Sequence, residues 1–367
     1  MASNRELSAG LRSGWRRARI SLNPGALSHN LNIVRKHAPH SQVMAVIKAN
    51  AYGHGLFRAA AELDAAEMFA VAMPGEALAL REAGCNRPLL VLHGCADSDE
   101  LRQLAEQDVA MVVHQSVQLE LLQQASLKRP VDVWLKVDTG MHRTGVAMAE
   151  AGKIFSALQA DSNVASVTLM SHFANADSVG NPLNNKQIDN IVKVKSYTDA
   201  RCSLANSAAI LSLPQSHFDI VRPGIMLYGS SPFAERSAAE LGLQAVMQFE
   251  SSLLAVKTVS AGEAIGYGSR YRCERDTRVG LVAAGYADGY PRHAQDGTPV
   301  WFNGRRCALL GRVSMDSLCI DLGDVDAVPG ERVVLWGREL PVDEVAQMSD
   351  TIAYEILCHA GVAADIL

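Results

Sequence analysis

Short apolar runs alternate with amphipathic stretches along the first two thirds of the chain. A run of four to eight apolar residues between turn signals is typical of a buried strand, whereas apolar positions three to four residues apart are typical of a helix. The runs that predict strands occupy residues 43–47, 68–72, 88–92, 109–113, 131–137, 164–170, 201–204 and 218–221. Because helical patterns lie between them, we expect an α/β fold built as a parallel (β/α)8 barrel, with an open doubly wound sheet as the alternative. A helix is also predicted over 24–38, with Asn23 as its cap.

The pattern changes after about residue 240. Strand-like runs now follow one another closely, at 249–260, 278–284, 299–302, 307–310, 317–321 and 332–336. Turn signals such as Asn303-Gly304 separate them, and a helix is predicted near 341–348. We therefore predict a carboxyl-terminal all-β domain over 241–367, a barrel over 17–240 and an amino-terminal tail over 1–16.

Composition excludes several classes of function. The 367 residues are 48% hydrophobic and 20% charged, with a net charge of −5, which argues against disorder and against nucleic acid as the main partner. The seven cysteines have no CxxC spacing, so free thiols in a reducing compartment are favoured over disulfides or a metal site. The sequence shows no signal-like apolar region and no apolar run that could span a bilayer. We expect a cytoplasmic protein without a membrane partner.

Charged and polar residues follow several of the predicted barrel strands. Lys48 follows the first strand, and others in such positions are Lys136, Asp138, His172, Asn206, Ser207 and Arg222. The carboxyl ends of barrel strands face the active site. An amine there is partly desolvated, so its pKa falls and it becomes a usable nucleophile. Lys48 therefore predicts a Schiff-base lysine for pyridoxal phosphate, with an ordinary surface lysine as the alternative.

The loops after the last two predicted strands provide a second indication. Such loops commonly bind phosphate in this fold. The hydroxyl of Ser207 and the backbone amides of Gly224 and Ile225 are suitable donors. An ordinary helix cap at Asn206 and Ser207 explains the same residues equally well.

Seven blocks, in order along nearly the whole chain, carry a resemblance to a known family. They are VIKANAYGHG at 46–55, KVDTGMHR at 136–143, SHFANAD at 171–177, RPGIMLYG at 222–229, GYG at 266–268, AGYADG at 284–289 and SMD at 314–316. The sequence resembles the alanine racemase family, pyridoxal phosphate enzymes with a (β/α)8 barrel and a carboxyl-terminal β domain. The resemblance implies interconversion of L-alanine and D-alanine.

The resemblance also implies a role for each matched residue. Lys48 would bind the cofactor covalently, and Arg222, beside His172, would face the pyridine nitrogen. Arg143 would contact the phenolic oxygen of the cofactor and the substrate carboxylate, and Lys136 is a candidate for carbamylation. The remaining cofactor contacts would come from Tyr52, Asn206, Ser207, Gly224, Ile225 and Tyr354.

Three further residues would bring the β domain into the site. Tyr267 would be the second catalytic base, and Met315 would bind substrate through its backbone. Tyr286, with Tyr354, would narrow the pocket towards a methyl side chain, and ordinary packing is the alternative interpretation of these tyrosines. In the family, Tyr267 and Met315 come from the partner subunit. The resemblance therefore implies a homodimer with shared active sites, and no metal.

Racemisation requires a base on each face of a flat substrate imine, and the resemblance implies Lys48 on the D-side and Tyr267 on the L-side. A phenol is mostly protonated near neutral pH. Positive charge relayed from Arg222 through His172 would favour its ionised form. Arginine cannot accept the proton that a carboxylate at the pyridine nitrogen would share. The nitrogen would therefore stay neutral, which suits reprotonation and suppresses side reactions.

Alternatives remain within and outside this enzyme class. A broad-specificity amino-acid racemase shares both bases. Basic amino-acid decarboxylases of the same fold fit poorly, because they use glutamate at the position of Arg222 and lack the partner tyrosine. A non-catalytic barrel protein that only binds pyridoxal phosphate would not need the β domain that carries Tyr267.

Overall fold

The computed structural model describes residues 16–363 and the backbone of 365–366. The predicted tail over 1–16 therefore lies outside the described residues, apart from Arg16. Two eight-stranded sheets carry the fold. One is the parallel sheet of the barrel, and the other is a mainly antiparallel sheet in the carboxyl-terminal part of the chain. The first described strand, β1 (Arg19–Leu22), belongs to the antiparallel sheet.

Eight parallel strands form a barrel, as predicted from the apolar runs. Since β2 (Gln42–Val46) pairs with both β3 (Met68–Val71) and β9 (Ile220–Val221), the sheet is closed except between β8 (Cys202–Ser203) and β9. At that seam the Asp219 N–H donates to the Cys202 carbonyl at 3.1 Å, and the Arg222 N–H donates to the Ala205 carbonyl at 2.9 Å. The strands are β2 (Gln42–Val46), β3 (Met68–Val71), β4 (Leu89–Val91), β5 (Val109–Val113), β6 (Val131–Lys136), β7 (Val164–Met170), β8 (Cys202–Ser203) and β9 (Ile220–Val221).

Helices connect the barrel strands and cover the barrel. Their bounds are Ala26–His37, Leu56–Glu62, Pro74–Glu82, Ser98–Glu106, Ser116–Gln124, Ala151–Ala160, Pro182–Lys195 and Ser207–Ser212, with 3-10 turns at Pro214–Ser216 and Ile225–Tyr228. Among the described residues, none of the helices has the length and apolar character needed to cross a membrane.

The prediction that Asn23 caps the first helix was wrong. The helix begins after Gly25, which has a φ of 77° and gives no side-chain cap. Glycine adopts this left-handed conformation without a steric cost, so the chain can turn directly into the helix. The Asn23 amide instead donates to the Ala245 carbonyl at 3.2 Å.

The carboxyl-terminal all-β architecture is confirmed. Six of its strands form a closed ring, because β10 (Met247–Val259) pairs with both β13 (Thr277–Val282) and β17 (Arg332–Trp336). Its strands are β10 (Met247–Val259), β13 (Thr277–Val282), β14 (Pro299–Phe302), β15 (Arg305–Leu310), β16 (Leu318–Asp321) and β17 (Arg332–Trp336). The sequence did not predict the small hairpin of β11 (Ala264–Ile265) and β12 (Tyr271–Arg272) or the helix Ala353–Ala363, while the helix predicted near 341–348 spans Val342–Gln347.

Both ends of the described chain join the antiparallel sheet. Strand β1 pairs antiparallel with β10, with Arg19 opposite Glu250 and Leu22 opposite Met247. Strand β18 (Asp365–Ile366) pairs parallel with β1. The sequence pattern assigns residues 19–22 to the barrel segment, whereas they pair with β10 of the antiparallel sheet. The domain boundaries at 16/17 and 240/241 stay predictions.

Candidate active site

A cavity of about 550 Å³ opens at the carboxyl ends of the barrel strands. It is the place where a barrel enzyme carries out its chemistry. The cavity brings together most of the residues that the sequence singled out: Lys48, Tyr52, Lys136, Arg143, His172, Asn206, Ser207, Arg222, Gly224, Ile225 and Tyr354.

Lys48 begins a single left-handed helical turn (Lys48–Tyr52), which the sequence did not predict. The φ angles of Ala49, Asn50, Ala51 and Tyr52 lie between 53° and 54°. Left-handed backbone costs roughly 1–2 kcal/mol per residue for L-amino acids, so the turn needs support from its surroundings. Asparagine tolerates this conformation, but the alanines give no local signal for it.

Glu76, in the first turn of the helix Pro74–Glu82, supplies part of that support. Its Oε1 accepts the Ala49 N–H at 2.7 Å, while its Oε2 accepts the N–H groups of Ala72 at 2.9 Å and Met73 at 3.2 Å. Inside the turn, the Asn50 Oδ1 accepts the Leu56 N–H at 2.8 Å. Glu76 thus holds the residue directly after Lys48, and sequence reasoning missed it because helix-capping glutamates are common.

The Lys48 amine is half-buried, and it has no hydrogen-bond partner within residues 16–363. Burial, reinforced by the nearby Arg143 cation, lowers the pKa of Lys48, while the Glu76 carboxylate acts in the opposite direction. More of the amine is therefore neutral near pH 7 than for an exposed lysine, as a nucleophile or a base requires.

Tyr52 and Gly224 form a tight corner of the cavity. A Cβ on Gly224 would lie 2.5 Å from the Tyr52 hydroxyl, so only glycine lets the backbone approach this closely. Tyr52 stacks on Tyr228 with ring centroids 4.6 Å apart, and Tyr354 lies 5.9 Å from Tyr52 on another side. The Tyr228 hydroxyl donates to the Val46 carbonyl at 3.0 Å, which fixes the stack to β2.

Ser207 and Asn206 organise the loops around this corner. The Ser207 hydroxyl oxygen accepts the Gly224 N–H at 2.9 Å and the Met226 N–H at 3.4 Å. The Asn206 Oδ1 accepts the Ala209 N–H at 3.1 Å and caps the helix Ser207–Ser212. Asn206 therefore caps a helix, and both Asn206 and Ser207 line the cavity, so the two interpretations of this segment are compatible.

Arg222 is buried and held by four contacts on the cavity wall. Its Nη1 donates to the Ser203 hydroxyl at 2.6 Å, and its Nη2 donates to the Ser171 carbonyl at 2.6 Å and the Leu204 carbonyl at 3.4 Å. Burial lowers the pKa of Arg222 to about 10, which still leaves it cationic near pH 7. Among the residues that the structure describes, its Nε has no partner, so one donor is available to a ligand.

The structure shows which member of the predicted charge relay, Arg222 or His172, is cationic. Its Nδ1 lies 3.2 Å from the Arg222 Nη2 and must accept, because a guanidinium only donates. Burial, and then the cations Arg222, Arg143, Lys136 and Lys48, lower its pKa well below the ordinary value. His172 is therefore neutral, with its proton on Nε2, and the positive charge of the predicted relay resides on Arg222 alone.

Lys136 is a buried amine among other cations. Its Nζ donates to the Thr144 hydroxyl at 2.6 Å. Burial lowers the pKa of Lys136 to about 8, the cations Arg143, Arg222 and Lys48 act in the same direction, and Asp138 opposes them. The exposed guanidinium of Arg143 has no ion pair or hydrogen bond within the described part of the chain. This side of the cavity therefore suits anions.

A buried glutamine connects the loops that carry Arg143 and His172. The Gln187 Nε2 donates to the Thr139 hydroxyl at 3.2 Å and to the His172 carbonyl at 2.9 Å. Its Oε1 accepts the Ala174 N–H at 3.0 Å. No sequence pattern indicates this role, because Gln187 lies inside an amphipathic helical stretch. No cluster of His, Cys, Asp and Glu within residues 16–363 could hold a metal ion.

Tyr267, Tyr286 and Met315 do not reach the cavity of their own chain. Their exposed fractions are 68%, 39% and 54%, which is high for large apolar side chains. Tyr267 lies in a turn between Gly266 and Gly268, whose φ angles are 77° and 70°. Tyr286 and Met315 share one edge, since the N–H groups of Tyr286 and Ala287 donate to the carbonyls of Ser314 at 3.1 Å and Met315 at 2.9 Å.

Comparison with known proteins adds an independent result. Residues 22–232 match the amino-terminal domain of alanine racemase, and residues 246–365 match its carboxyl-terminal domain. An alanine racemase of Vibrio parahaemolyticus is 46% identical over 342 residues, which cover 93% of this chain and 96% of that protein.

Solved structures agree with this match. The biosynthetic alanine racemase from Pseudomonas aeruginosa superposes with a TM-score of 0.93 at 41% identity, covering 96% of this chain and 99% of that one. The alanine racemase from Bartonella henselae, solved with covalently bound pyridoxal phosphate, has a TM-score of 0.85 at 29% identity and covers 96% and 99%.

Proposed function

The chain belongs to the alanine racemase family and is an isomerase that acts on amino acids, and we propose that Lys48 and Tyr267 are the two bases of its reaction. The proposed cofactor is pyridoxal phosphate and the proposed substrates are L-alanine and D-alanine. The free state of all seven cysteines supports a reducing, cytoplasmic compartment as part of the same proposal.

The cavity fits pyridoxal phosphate on three observations. The Lys48 amine has a lowered pKa and no partner among the described residues, as a covalent attachment point requires. A Cβ at Gly224 would occupy the corner beside Tyr52, where the phosphate would lie. Arg222 has a donor left over for the pyridine nitrogen. When bound, the cofactor supplies the electron sink that makes the substrate α-proton acidic.

The chain's own residues would hold the remaining parts of cofactor and substrate. Tyr52, Ser207 and Tyr354, together with the Gly224 and Ile225 amides, would bind the phosphate. Arg143 would bind the substrate carboxylate, because its guanidinium is exposed and unpaired within the described residues. Lys136, once carbamylated, would become an anion that orients Arg143.

The two bases would act from opposite sides. The Lys48 amine would remove or return the α-proton on one face, and the Tyr267 hydroxyl would do so on the other. Tyr267 would come from the partner of a homodimer, together with Met315 and Tyr286. The observation that carries this proposal is that Tyr267 is 68% exposed and does not line the cavity that contains Lys48.

A complementation experiment tests the shared site. Lys48→Ala and Tyr267→Phe chains are each expected to be nearly inactive as homodimers. If the chains are denatured together and refolded, half of the dimers are mixed, and each mixed dimer has one intact site. Activity should then return to about a quarter of the wild-type value.

Two outcomes would contradict the proposal: a mixture as inactive as its parents although mixed dimers form, or full racemisation by Tyr267→Phe alone. The assay should follow L-alanine, D-alanine and several larger amino acids, so that it also measures substrate breadth. Borohydride reduction followed by peptide mapping should find the cofactor on Lys48, and a label on another lysine would exclude the proposed attachment point.

A further inference from the structure

Two loops of the β domain are joined along one edge. The backbone hydrogen bonds from Tyr286 and Ala287 join the loop at 285–289 to the loop at 313–317. Their contact is so close that a Cβ on Gly285 would lie 2.3 Å from the carbonyl oxygens of both Ser314 and Met315. The backbone positions of Tyr286 and Met315 are therefore linked, so a contact that holds one loop also helps to hold the other.

Arg16 holds this edge from the far end of the sequence. Its Nε donates to the Oδ1 of Asp288, and its Nη2 donates to the Oδ2 of Asp288 at 3.2 Å. The same Nη2 also donates to the Asp316 carboxylate. The Asp288 side chain is only 2% exposed, and its Oδ2 additionally accepts the Gly285 N–H at 2.9 Å. One planar guanidinium thus bridges a carboxylate on each loop, which a lysine ammonium cannot reproduce.

The pairing of β1 brings Arg16 to this place. Arg19 and the three residues after it pair with the first residues of β10, which fixes the direction of the chain three residues away from Arg16. The neighbouring Arg17 makes different contacts, to the Ser252 hydroxyl at 3.4 Å and the Leu253 carbonyl at 3.5 Å. Arg16 is the one cation paired with Asp288 among the described residues. Without it, a buried carboxylate would lose its counter-charge, which is strongly unfavourable.

We propose that Arg16 is a positioning residue for substrate binding, which fixes the edge that Tyr286 and Met315 present to the partner's cavity. This inference rests on the shared active site proposed above. Arg16 itself lies outside the seven motif blocks and has no role among those that the family resemblance implies. Because Arg16 does not line the cavity of its own chain and contacts the loops of Tyr286 and Met315, its loss should affect substrate binding more than cofactor binding.

Steady-state kinetics of Arg16→Gln, with Arg17→Gln as the matched control, tests the proposal. Measured well below the unfolding temperature, Arg16→Gln should raise the KM for both alanine enantiomers roughly tenfold or more, because small misplacements of binding groups are costly. The kcat should change much less, and the cofactor absorption spectrum should be unchanged. Arg17→Gln should match wild type, and Arg16→Lys should lie between the two.

A double-mutant cycle separates positioning from general stability. Asp316→Asn removes only the exposed end of the bridge and leaves the pair between Arg16 and buried Asp288. If Arg16, Asp288 and Asp316 act as one unit, the double variant Arg16→Gln/Asp316→Asn should bind substrate no worse than Arg16→Gln alone. Hydrogen exchange at the Ala287 amide should be faster in Arg16→Gln than in Arg17→Gln, because that amide bonds to Met315.

Wild-type KM values in Arg16→Gln, or fully additive effects in the cycle, would overturn the inference. The proposal of a shared active site has a separate test. Full activity of Tyr267→Phe would refute the shared site, whatever the KM values of Arg16→Gln are. A fall in unfolding temperature without a change in KM would show a structural role only and would also overturn the inference.

Discussion

The Nη2 of Arg222 lies 3.2 Å from the Nδ1 of His172, and this contact assigns the proton of the imidazole to Nε2. The guanidinium thereby supplies the positive charge, while the histidine supplies a neutral donor. Because Arg222 is a guanidinium and not a carboxylate, this wall of the cavity can donate a hydrogen bond to a ligand but cannot accept a proton from it.

Replacement of Arg222 by glutamate should therefore change the reaction's outcome and not only its rate. The new carboxylate would face the carbonyls of Ser171 and Leu204, which now accept hydrogen bonds from Arg222. Racemisation should fall by about a hundredfold or more, and the share of transamination should rise. Pyruvate formation measured beside racemisation checks this, with Ser203→Ala as a control that removes a single contact of Arg222. Unchanged rate and product purity would contradict it.

Glu76→Gln should weaken the left-handed turn that carries Lys48. An amide has one acceptor oxygen, whereas the Glu76 carboxylate accepts N–H groups from Ala49, Ala72 and Met73. The free energy of unfolding should fall by about 1–3 kcal/mol, as expected for a lost hydrogen bond to a charged group. The pKa of Lys48 should fall further, because the nearby carboxylate now raises it.

The rate of pyridoxal phosphate binding to the cofactor-free protein should then depend on pH differently. Its acid limb should move to lower pH in Glu76→Gln, since binding requires the neutral Lys48 amine. Glu82→Gln, in the same helix but exposed, is the matched control. A profile of Glu76→Gln that coincides with that of Glu82→Gln would refute the role of Glu76.

Lys136 should take up carbon dioxide as the pH rises through about 8, the value to which burial lowers its pKa. Above that pH the amine is mainly neutral and can react, and the resulting anion would be stabilised by the surrounding cations Arg143, Arg222 and Lys48. Native mass spectrometry in bicarbonate should show one added carbon dioxide per chain, absent in Lys136→Gln. No adduct at any pH would argue that the lysine stays unmodified.

Stability should fall in acid because of buried neutral histidine. Burial lowers the pKa of His54 to about 4, and its Nδ1 donates to the carbonyls of Ala51 and Tyr52, both at 3.0 Å. As the pH falls below the ordinary value of about 6.5, the unfolded chain gains a proton that the folded chain cannot take up until about pH 4. Folding should therefore lose roughly 3 kcal/mol over this range through His54 alone.

Denaturant unfolding measured between neutral and acidic pH checks this sign and size. His54→Asn keeps an N–H donor but does not titrate, so its stability should vary less with pH than that of wild type. His37→Gln, at an exposed helix end, should behave like wild type. Equal pH slopes for all three proteins would show that His54 does not contribute.

The sequence predicted the barrel because each of its strands is a local apolar run. The eight runs needed no knowledge of their partners, and the residues after them met in one cavity because parallel strands end on the same side. The pairing of β1 was different. Residues 19–22 form a short alternating segment whose partner is β10, and nothing local indicates a partner so far along the chain.

The local geometry and the charges inside the cavity were also beyond the sequence. The alanines of the left-handed turn have no intrinsic preference for it, and tertiary contacts such as that with Glu76 impose it. The neutral state of His172 could not be predicted, because burial and neighbouring cations act together on its pKa and both depend on the packed structure. Arg16 and Gln187 act through contacts that link distant segments, which no spacing rule anticipates.

The position of β1 between β10 and β18 has a consequence for synthesis on the ribosome. Strand β1 is the first of the described strands to be made, but residues 247–250 of β10 must emerge before β1 can pair with them. At about 5–20 residues per second, this delay is roughly ten to fifty seconds. Throughout that time residues 19–22 lack their β10 partner, and β18, the last of the described strands to be made, then pairs with the other side of β1.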